Sequence, residues 1–393
     1  MPRLRILYNH RTRARDGQSV HIDELIGAFR DQGHAVEICG PTRIDAMQEG
    51  PERRLLPKSL YELAELAYSG IELVQLLHAA RRVRPDFIYQ RANVHMLGAL
   101  WASRILGIPL FLEVNAPLAK ERGKTNGFAW PALARWSEQY LWRRADRLLP
   151  VTRVLAQELI DTGVPAQRIT VIANGVNPAR FARQDRQAAK RAIGLGAAPV
   201  LGFIGYVRKW HGLEQVIDLL ARDDRLADAH LIVVGDGPAK AELKARAQQR
   251  GVENRVFFTG VVVRDDVARI AAAFDIALQP DVTAYASPLK LFEYMALGHA
   301  IVAPDTANIR EVLTDGENAL LFSPGNFDAF ADAVGRLAAD PVLRQRLGAA
   351  AARDITSKDR TWAGNARTIE CLLTELRQPP SSAAVLVATA DPA

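Results

Sequence analysis

Ser287-Pro288-Leu289-Lys290-Leu291-Phe292-Glu293-Tyr294-Met295-Ala296-Leu297-Gly298 reads as a helix with a capping Ser, a Pro in the first helical position and a terminal Gly. It follows the apolar run Asp275 to Leu278, so a short buried strand feeds a helix. Working outward, the second half repeats this unit with strands at Val200 to Ile204, His230 to Val234, Arg255 to Phe258 and Ala300 to Ala303. The first half does so at Arg5 to Tyr8, Ala35 to Cys39, Phe87 to Tyr89, Pro109 to Val114, Arg147 to Val151 and Ile169 to Ile172. Helical periods lie between them. The first, from about Ser19 to Gln32, sets Val20, Leu25, Ile26 and Phe29 near one face and ends at Gly33, a residue suited to the left-handed cap. This alternation predicts an α/β protein with two doubly wound, Rossmann-like parallel sheets covered by helices on both faces.

A chain of 393 residues is about twice what one core organises. The alternation breaks after Asn174-Gly175-Val176-Asn177-Pro178, where the polar stretch Arg180 to Arg191 and then Gly194, Gly196 and Pro199 interrupt it. The expected division is therefore a first domain over 1–185, a second over 195–360, a helix over 361–377 packing back on the first domain, and a disordered tail over 378–393. No stretch approaches the roughly 18 apolar residues of a membrane span, and the start lacks the pattern of an export signal, so a cytoplasmic protein is expected. Cys39 and Cys371 stand far apart without neighbouring His or Cys, which excludes a disulfide framework and a structural zinc site.

The net charge of +6 is unevenly spread: residues 1–190 carry 28 Lys and Arg against 19 Asp and Glu. Basic and aromatic residues mix from Lys120 through Arg122, Lys124, Phe128, Trp130, Arg135, Trp136, Tyr140 and Trp142 to Arg143 and Arg144. This suits peripheral contact with an anionic membrane, and equally a solvated basic face with tryptophans packed inside. No helix-turn-helix, zinc or RNA-binding signature accompanies the charge, so nucleic acid is not an expected partner.

A helix start beyond the carboxyl end of a parallel strand offers free N–H groups and a positive dipole end, where phosphates bind in such folds. Lys290 in that first turn is disfavoured by the dipole, and a bound anion explains it better than helix stability does. Glu293, about one turn further in, could reach a sugar hydroxyl pair. A second segment, Gly202-Phe203-Ile204-Gly205-Tyr206-Val207-Arg208-Lys209-Trp210-His211-Gly212, ends a strand in Gly and places cations before another helix. Such cations would offset charge on a departing pyrophosphate.

On these residues the chain resembles the retaining glycosyltransferases of family 4, group 1 type, whose GT-B fold faces two Rossmann-like domains across a cleft. The resemblance runs to about Leu376, and the text Ser-Pro-x-Lys-x-Phe-Glu-Tyr-Met-Ala is similar to one subgroup. The family's paired Glu residues imply that Glu293 holds the nucleotide ribose, while the first of the pair falls at Tyr285. The resemblance also implies donor contacts from Gly17, Gly205, His211, Val261, Val262, Ser287, Pro288 and Leu289. It implies catalytic service from Arg208, Lys209, Lys290, Glu293 and Asn115, with Arg208 and Lys209 standing in for family cations replaced by Tyr206 and His211. Acceptor contacts fall on Arg13, Arg15, Glu113 and His95. Glu113 and Asn115 lie on one side of an extended segment and serve either substrate hydroxyls or a buried structural pair. His95 has the alternative of a satisfied packing residue. Gly235-Asp236-Gly237-Pro238 also matches the family, but a strand-to-helix turn accounts for it.

The implied activity is sugar transfer with retention from a nucleotide-diphosphate sugar, as donor substrate and without a cofactor or metal ion, to a glycan, lipid-linked or small-molecule acceptor. The implied setting is polysaccharide or glycoconjugate biosynthesis. A nucleotide-sugar 2-epimerase of the same fold and a non-catalytic nucleotide-sugar-binding relative are the rival expectations. A nicotinamide dehydrogenase is not, because no Gly-x-Gly-x-x-Gly follows either first strand.

Overall fold

The computed structural model describes residues 3–12, 17–41, 57–125 and 127–378. The first sheet contains β1 (Arg5–Asn9), β2 (Ala35–Cys39), β3 (Phe87–Arg91), β4 (Leu110–Val114) and β5 (Arg147–Pro150), in the order β2-β1-β3-β4-β5. The second contains β6 (Val200–Ile204), β7 (His230–Val234), β8 (Val256–Gly260), β9 (Ile276–Leu278), β10 (Ala300–Pro304) and β11 (Leu320–Phe322), in the order β11-β10-β9-β6-β7-β8. Every pairing is parallel. Parallel strands covered on both faces must be apolar throughout, and β3, β4, β6 and β10 are buried along their whole length.

Covering helices bury one stripe each. The Leu213–Arg222 helix turns Leu213, Val216, Ile217 and Leu220 inward at helical spacing. At the centre of β6 the backbone lies so close to the fully buried Phe274 that a Cβ on Gly202 would stand 2.0 Å from its ring. Gly202→Ala is therefore expected to lower stability by about 1–3 kcal/mol, the range for overpacked cores, in urea unfolding. Unchanged stability would mean that Phe274 does not close on β6.

The chain order reverses between β1 and β3 in the first sheet and between β6 and β9 in the second. Crevices open at the carboxyl ends of strands at such switch points, so the loops after β1, β6 and β9 are where a ligand would be met. The last helix, Trp362–Arg377, returns to the first domain. Its Trp362, Ala366, Ile369 and Leu373 share one core with Ile22, Leu25, Ile26 and Phe29 of the Gly17–Asp31 helix. Val176 bridges Thr361 at this crossing, and Gln32 Nε2 donates to the Ala363 carbonyl at 2.8 Å.

Two expectations are corrected, and one strand and one short helix are added. Ile169 to Ile172 is not a strand: Ile169 makes an isolated bridge to Leu148, and the segment follows β5 only through bonds from Thr170 N and Ile172 N. The segment Leu320–Phe322 is a strand that the sequence did not announce. The key helix starts at Leu289 with Pro288 as the cap, and Ser287 is not the capping residue, because its hydroxyl instead accepts from Asn174 N at 3.1 Å. The polar stretch after Arg180 contains a short helix, Arg186–Ala192, capped by Asp185. The expected tail falls outside the described residues from 379 onward.

Candidate functional site

The loops after β6 and β9 converge. Gly205 leaves β6 with φ +141°, in the region that favours glycine, and a Cβ there would meet Lys290 Nζ at 3.3 Å. Lys290 lays its ammonium over the Phe203 ring at 3.7 Å from the centroid. Burial pushes its pKa down to about 7, with Glu293 opposing that shift. Lys290 makes no ion pair among the described residues. His211 is buried, and its Nδ1 accepts from Arg208 N at 3.1 Å. Burial, then the charges of Lys290 and Arg208, bring its pKa down to about 3. A neutral ring accepting at Nδ1 carries its proton on Nε2, which makes that nitrogen a donor. Arg208 is exposed and lies 5.1 Å from the Tyr206 ring centroid. Lys209 points elsewhere: exposed, it stands 3.8 Å from Glu242, and no described contact ties it to Lys290.

Glu293 is buried and accepts from Arg264 Nη1 at 2.7 Å. Burial raises its carboxyl above the ordinary carboxylate value, and Arg264 opposes that rise. Arg264 Nε also stands 3.7 Å from Glu24 on the Gly17–Asp31 helix, and Glu24 pairs with Arg180, which bonds Asp265 at 2.8 Å. An ion network thus joins the domains beside Glu293. Across the cleft, a Cβ on Gly17 would meet Leu289 Cδ1 at 3.4 Å, so the first turns of two helices touch. Both present their positive ends there. Val261 and Val263 beyond β8 expose apolar side chains, with Val262 half-buried between them.

On the first domain, Glu113 at the end of β4 accepts from Tyr89 Oη at 2.7 Å and pairs with His21 Nε2 at 2.8 Å. Arg91 Nη1 and Asn115 Nδ2 donate to its other oxygen. Burial alone would raise this carboxyl, but His21 and Arg91 hold it well below the usual range. Four hydrogen-bond partners surround this carboxylate and occupy its lone pairs. His21 Nδ1 lies 2.7 Å from Asn174 Oδ1, and Asn174 Nδ2 donates to the Ser287 carbonyl. A continuous chain of bonds therefore runs from Glu113 through His21 and the interdomain segment to the turn entering the Leu289–Leu297 helix.

His95 is buried with φ +60°, and its Nε2 lies 3.3 Å from Glu62. Burial lowers its pKa. Tyr285 faces the first domain, where Thr152 Oγ1 donates to its carbonyl at 3.0 Å. Burial and Glu121 push its phenol up. Arg13 and Arg15 lie outside the described residues. His21, Arg91, Asn174 and Arg264 escaped the sequence reading, since their partners lie far along the chain; His21 had one available signal, a polar residue on the otherwise apolar inward face of its helix. In the basic aromatic stretch, Trp142 is buried while Trp130 and Trp136 are exposed. No described helix is long and apolar enough to cross a membrane, and no described cluster of three His, Cys, Asp or Glu could hold a metal.

Residues 15–180 match the family described as Glycosyltransferase Family 4, and residues 198–340 match Glycosyl transferases group 1. The chain is similar to alpha-D-kanosaminyltransferase of Streptomyces kanamyceticus, at 26% identity over 73% of this chain and 77% of that protein. The structure of Anabaena HepE in complex with UDP and glucose superposes with a TM-score of 0.73 at 20% identity, covering 95% of this chain and 100% of the other, which gives the GT-B fold. D-inositol 3-phosphate glycosyltransferase of Kribbella flavida is 31% identical over 85% of each chain. The chain belongs to the group 1, family 4 glycosyltransferases.

Proposed function

We propose that the chain transfers a sugar, with retention, from a nucleotide-diphosphate donor held at the β6–β9 crevice to a hydroxyl acceptor presented by the first domain. The observation that carries this reading is Lys290: a cation of depressed pKa, without a carboxylate partner among the described residues, between a helix N-terminus and the Gly205 loop. Two linked phosphates would supply its missing counter-charge, with Arg208 and the Nε2 donor of His211 beside it and Lys209 on the same loop. The Gly17 turn adds a second positive helix end. Val261 and Val262 flank the base, and Glu293 takes the ribose hydroxyls.

In the proposed step the bond from the anomeric carbon to the diphosphate breaks as the acceptor oxygen bonds to that carbon from the same face. The departing phosphate oxygen takes the acceptor's proton. Lys290, Arg208 and the helix ends offset the negative charge that builds on the leaving diphosphate, so this route requires no divalent ion. Asn115, oriented by Glu113, would meet donor or acceptor hydroxyls at the cleft wall. The nucleotide is suggested by HepE, whose structure contains UDP and glucose. A saccharide or lipid-linked acceptor in glycoconjugate synthesis fits the family, and the exposed Trp136 beside Arg143 and Arg144, with Trp130 also exposed, supports peripheral contact with an anionic membrane.

A thermal-shift screen of nucleotide sugars tests the donor reading. One diphosphate sugar is expected to raise the melting temperature of the natural protein and to lose most of that effect in Glu293→Ala. Equal responses in the two proteins would refute the assignment of Glu293.

A further inference from the structure

At the opposite, carboxyl end of the Leu289–Leu297 helix, an open cleft of about 460 Å³ lies between the Arg183–Gln187 segment and the start of the Pro341–Ser357 helix. Three guanidinium groups line it. Arg183 packs against Gly298, where a Cβ would stand 2.8 Å from its Nε. Arg186 Nη2 donates to the Gly298 carbonyl at 3.2 Å, and its Nε is buried without a partner. Arg344 lines the other wall. None of the three has an ion pair among the described residues, whereas Arg225, Arg246 and Arg310 each bond an aspartate. The two carboxylates nearby are already engaged. Asp275 holds Lys190 Nζ at 2.8 Å and Val200 N at 2.9 Å, and Asp185 caps Ala188 N at 3.1 Å. Burial lowers the pKa of Arg186, the Asp275 charge opposes that fall, and the Arg344 and Arg183 charges add to it.

Helix capping engages two of the three, Arg186 at the Gly298 carbonyl and Arg344 Nη1 at the Leu337 and Ala338 carbonyls of a second helix, but each helix end presents only about half an elementary charge, and Arg183 makes no such bond. Among the described residues three arginines and two aspartates line the cleft, and Asp275 is already paired with the buried Lys190, which leaves an excess of two positive charges. We infer that this cleft is a second anion site, distinct from the donor crevice, that takes a phosphate monoester. A dianionic phosphoryl group matches both the excess charge and the forked donors of arginine. The side chains of Gln184, Gln187 and Gln345 line the cleft with no hydrogen bond recorded to described residues, which suits the hydroxyls of a sugar or polyol phosphate.

The test uses the full chain carrying Lys290→Met, so that phosphate binding at the donor crevice is suppressed. Calorimetry with glucose 6-phosphate at low salt is expected to give saturable one-site binding, weakened at least about tenfold by Arg183→Gln, the loss of one charge-assisted contact. Arg183 is exposed and makes no hydrogen bond among the described residues, so an unchanged melting temperature in that variant confirms intact folding. Flotation with vesicles containing phosphatidic acid forms the second arm. Binding there alone, weakened by Arg183→Gln, assigns the same phosphate chemistry to a lipid headgroup. No saturable binding in either arm, or binding unchanged by both Arg183→Gln and Arg344→Gln, overturns the inference. Should the donor reading itself be wrong, Lys290→Met becomes irrelevant and the Arg183 effect remains, so the two failures are distinguishable.

Discussion

Replacing Lys290 by methionine is expected to lower kcat/KM for the nucleotide sugar by about 10²- to 10³-fold, the range for deleting one pre-placed donor to developing negative charge. The methionine keeps the apolar stem over Phe203 while deleting the charge, so the fold should persist. The pH dependence carries a sharper signature. With a pKa near 7, Lys290 is charged below that pH and loses its proton above it. Since kcat/KM reports the free enzyme, it is expected to fall as pH rises through about 7. A bound diphosphate favours the ammonium, so the corresponding fall in kcat should come at higher pH. Lys290→Arg, which stays charged, is expected to flatten the alkaline limb even if its larger head lowers the maximum. Measurement of kcat/KM with subsaturating donor from pH 6 to 9 decides this. An alkaline limb that persists unchanged in Lys290→Arg, or a methionine variant within threefold of the natural protein, would remove the diphosphate from this pocket.

The elements that bring Lys290 to its place are those the sequence displays most plainly. Val200–Ile204 and Ile276–Leu278 are short apolar runs beside Gly and Pro punctuation, and strands buried on both faces leave that imprint. The Gly at 205 and the Pro at 288 mark where each chain turns into the crevice. Ile169 to Ile172 bears the same imprint for a different reason. Its apolar residues lie against β5 and the first-domain core, but it bonds β5 at too few points to form a ladder. Leu320–Phe322 is as short as Ile276–Leu278 but lies at the sheet edge with Leu321 only half-buried, so it lacks the fully buried run that marks the central strands. The charged partners of the site were hidden more deeply. Arg264 meets Glu293 within the second domain and Glu24 across the cleft, and His21 meets Glu113 and Asn174, partners 29 to 240 residues apart in the chain. No local spacing encodes them.

Glu113→Ala is expected to destabilise the protein by about 3–5 kcal/mol, because it leaves Arg91 buried without its counter-charge and His21 and Tyr89 without their partner. The effect should depend on pH in a definite direction. A carboxyl whose folded-state pKa lies below its unfolded value near 4.5 contributes stability that is fully present above that value and is lost as pH falls toward the folded one. Urea unfolding of the natural protein and the variant should therefore differ most near neutrality and converge on acidification. The double variant Glu113→Leu with His21→Phe removes both members of one pair, and its loss should be smaller than the sum of the single losses, since neighbours in one network do not add. The two expected readings of Glu113 separate here. A carboxylate that served substrate hydroxyls would, once replaced, leave stability nearly intact and abolish transfer. A carboxylate saturated by Tyr89, His21, Arg91 and Asn115 should instead weaken the fold. Any loss of transfer should then come through Asn115 and the His21–Asn174–Ser287 chain that fixes the turn before Lys290.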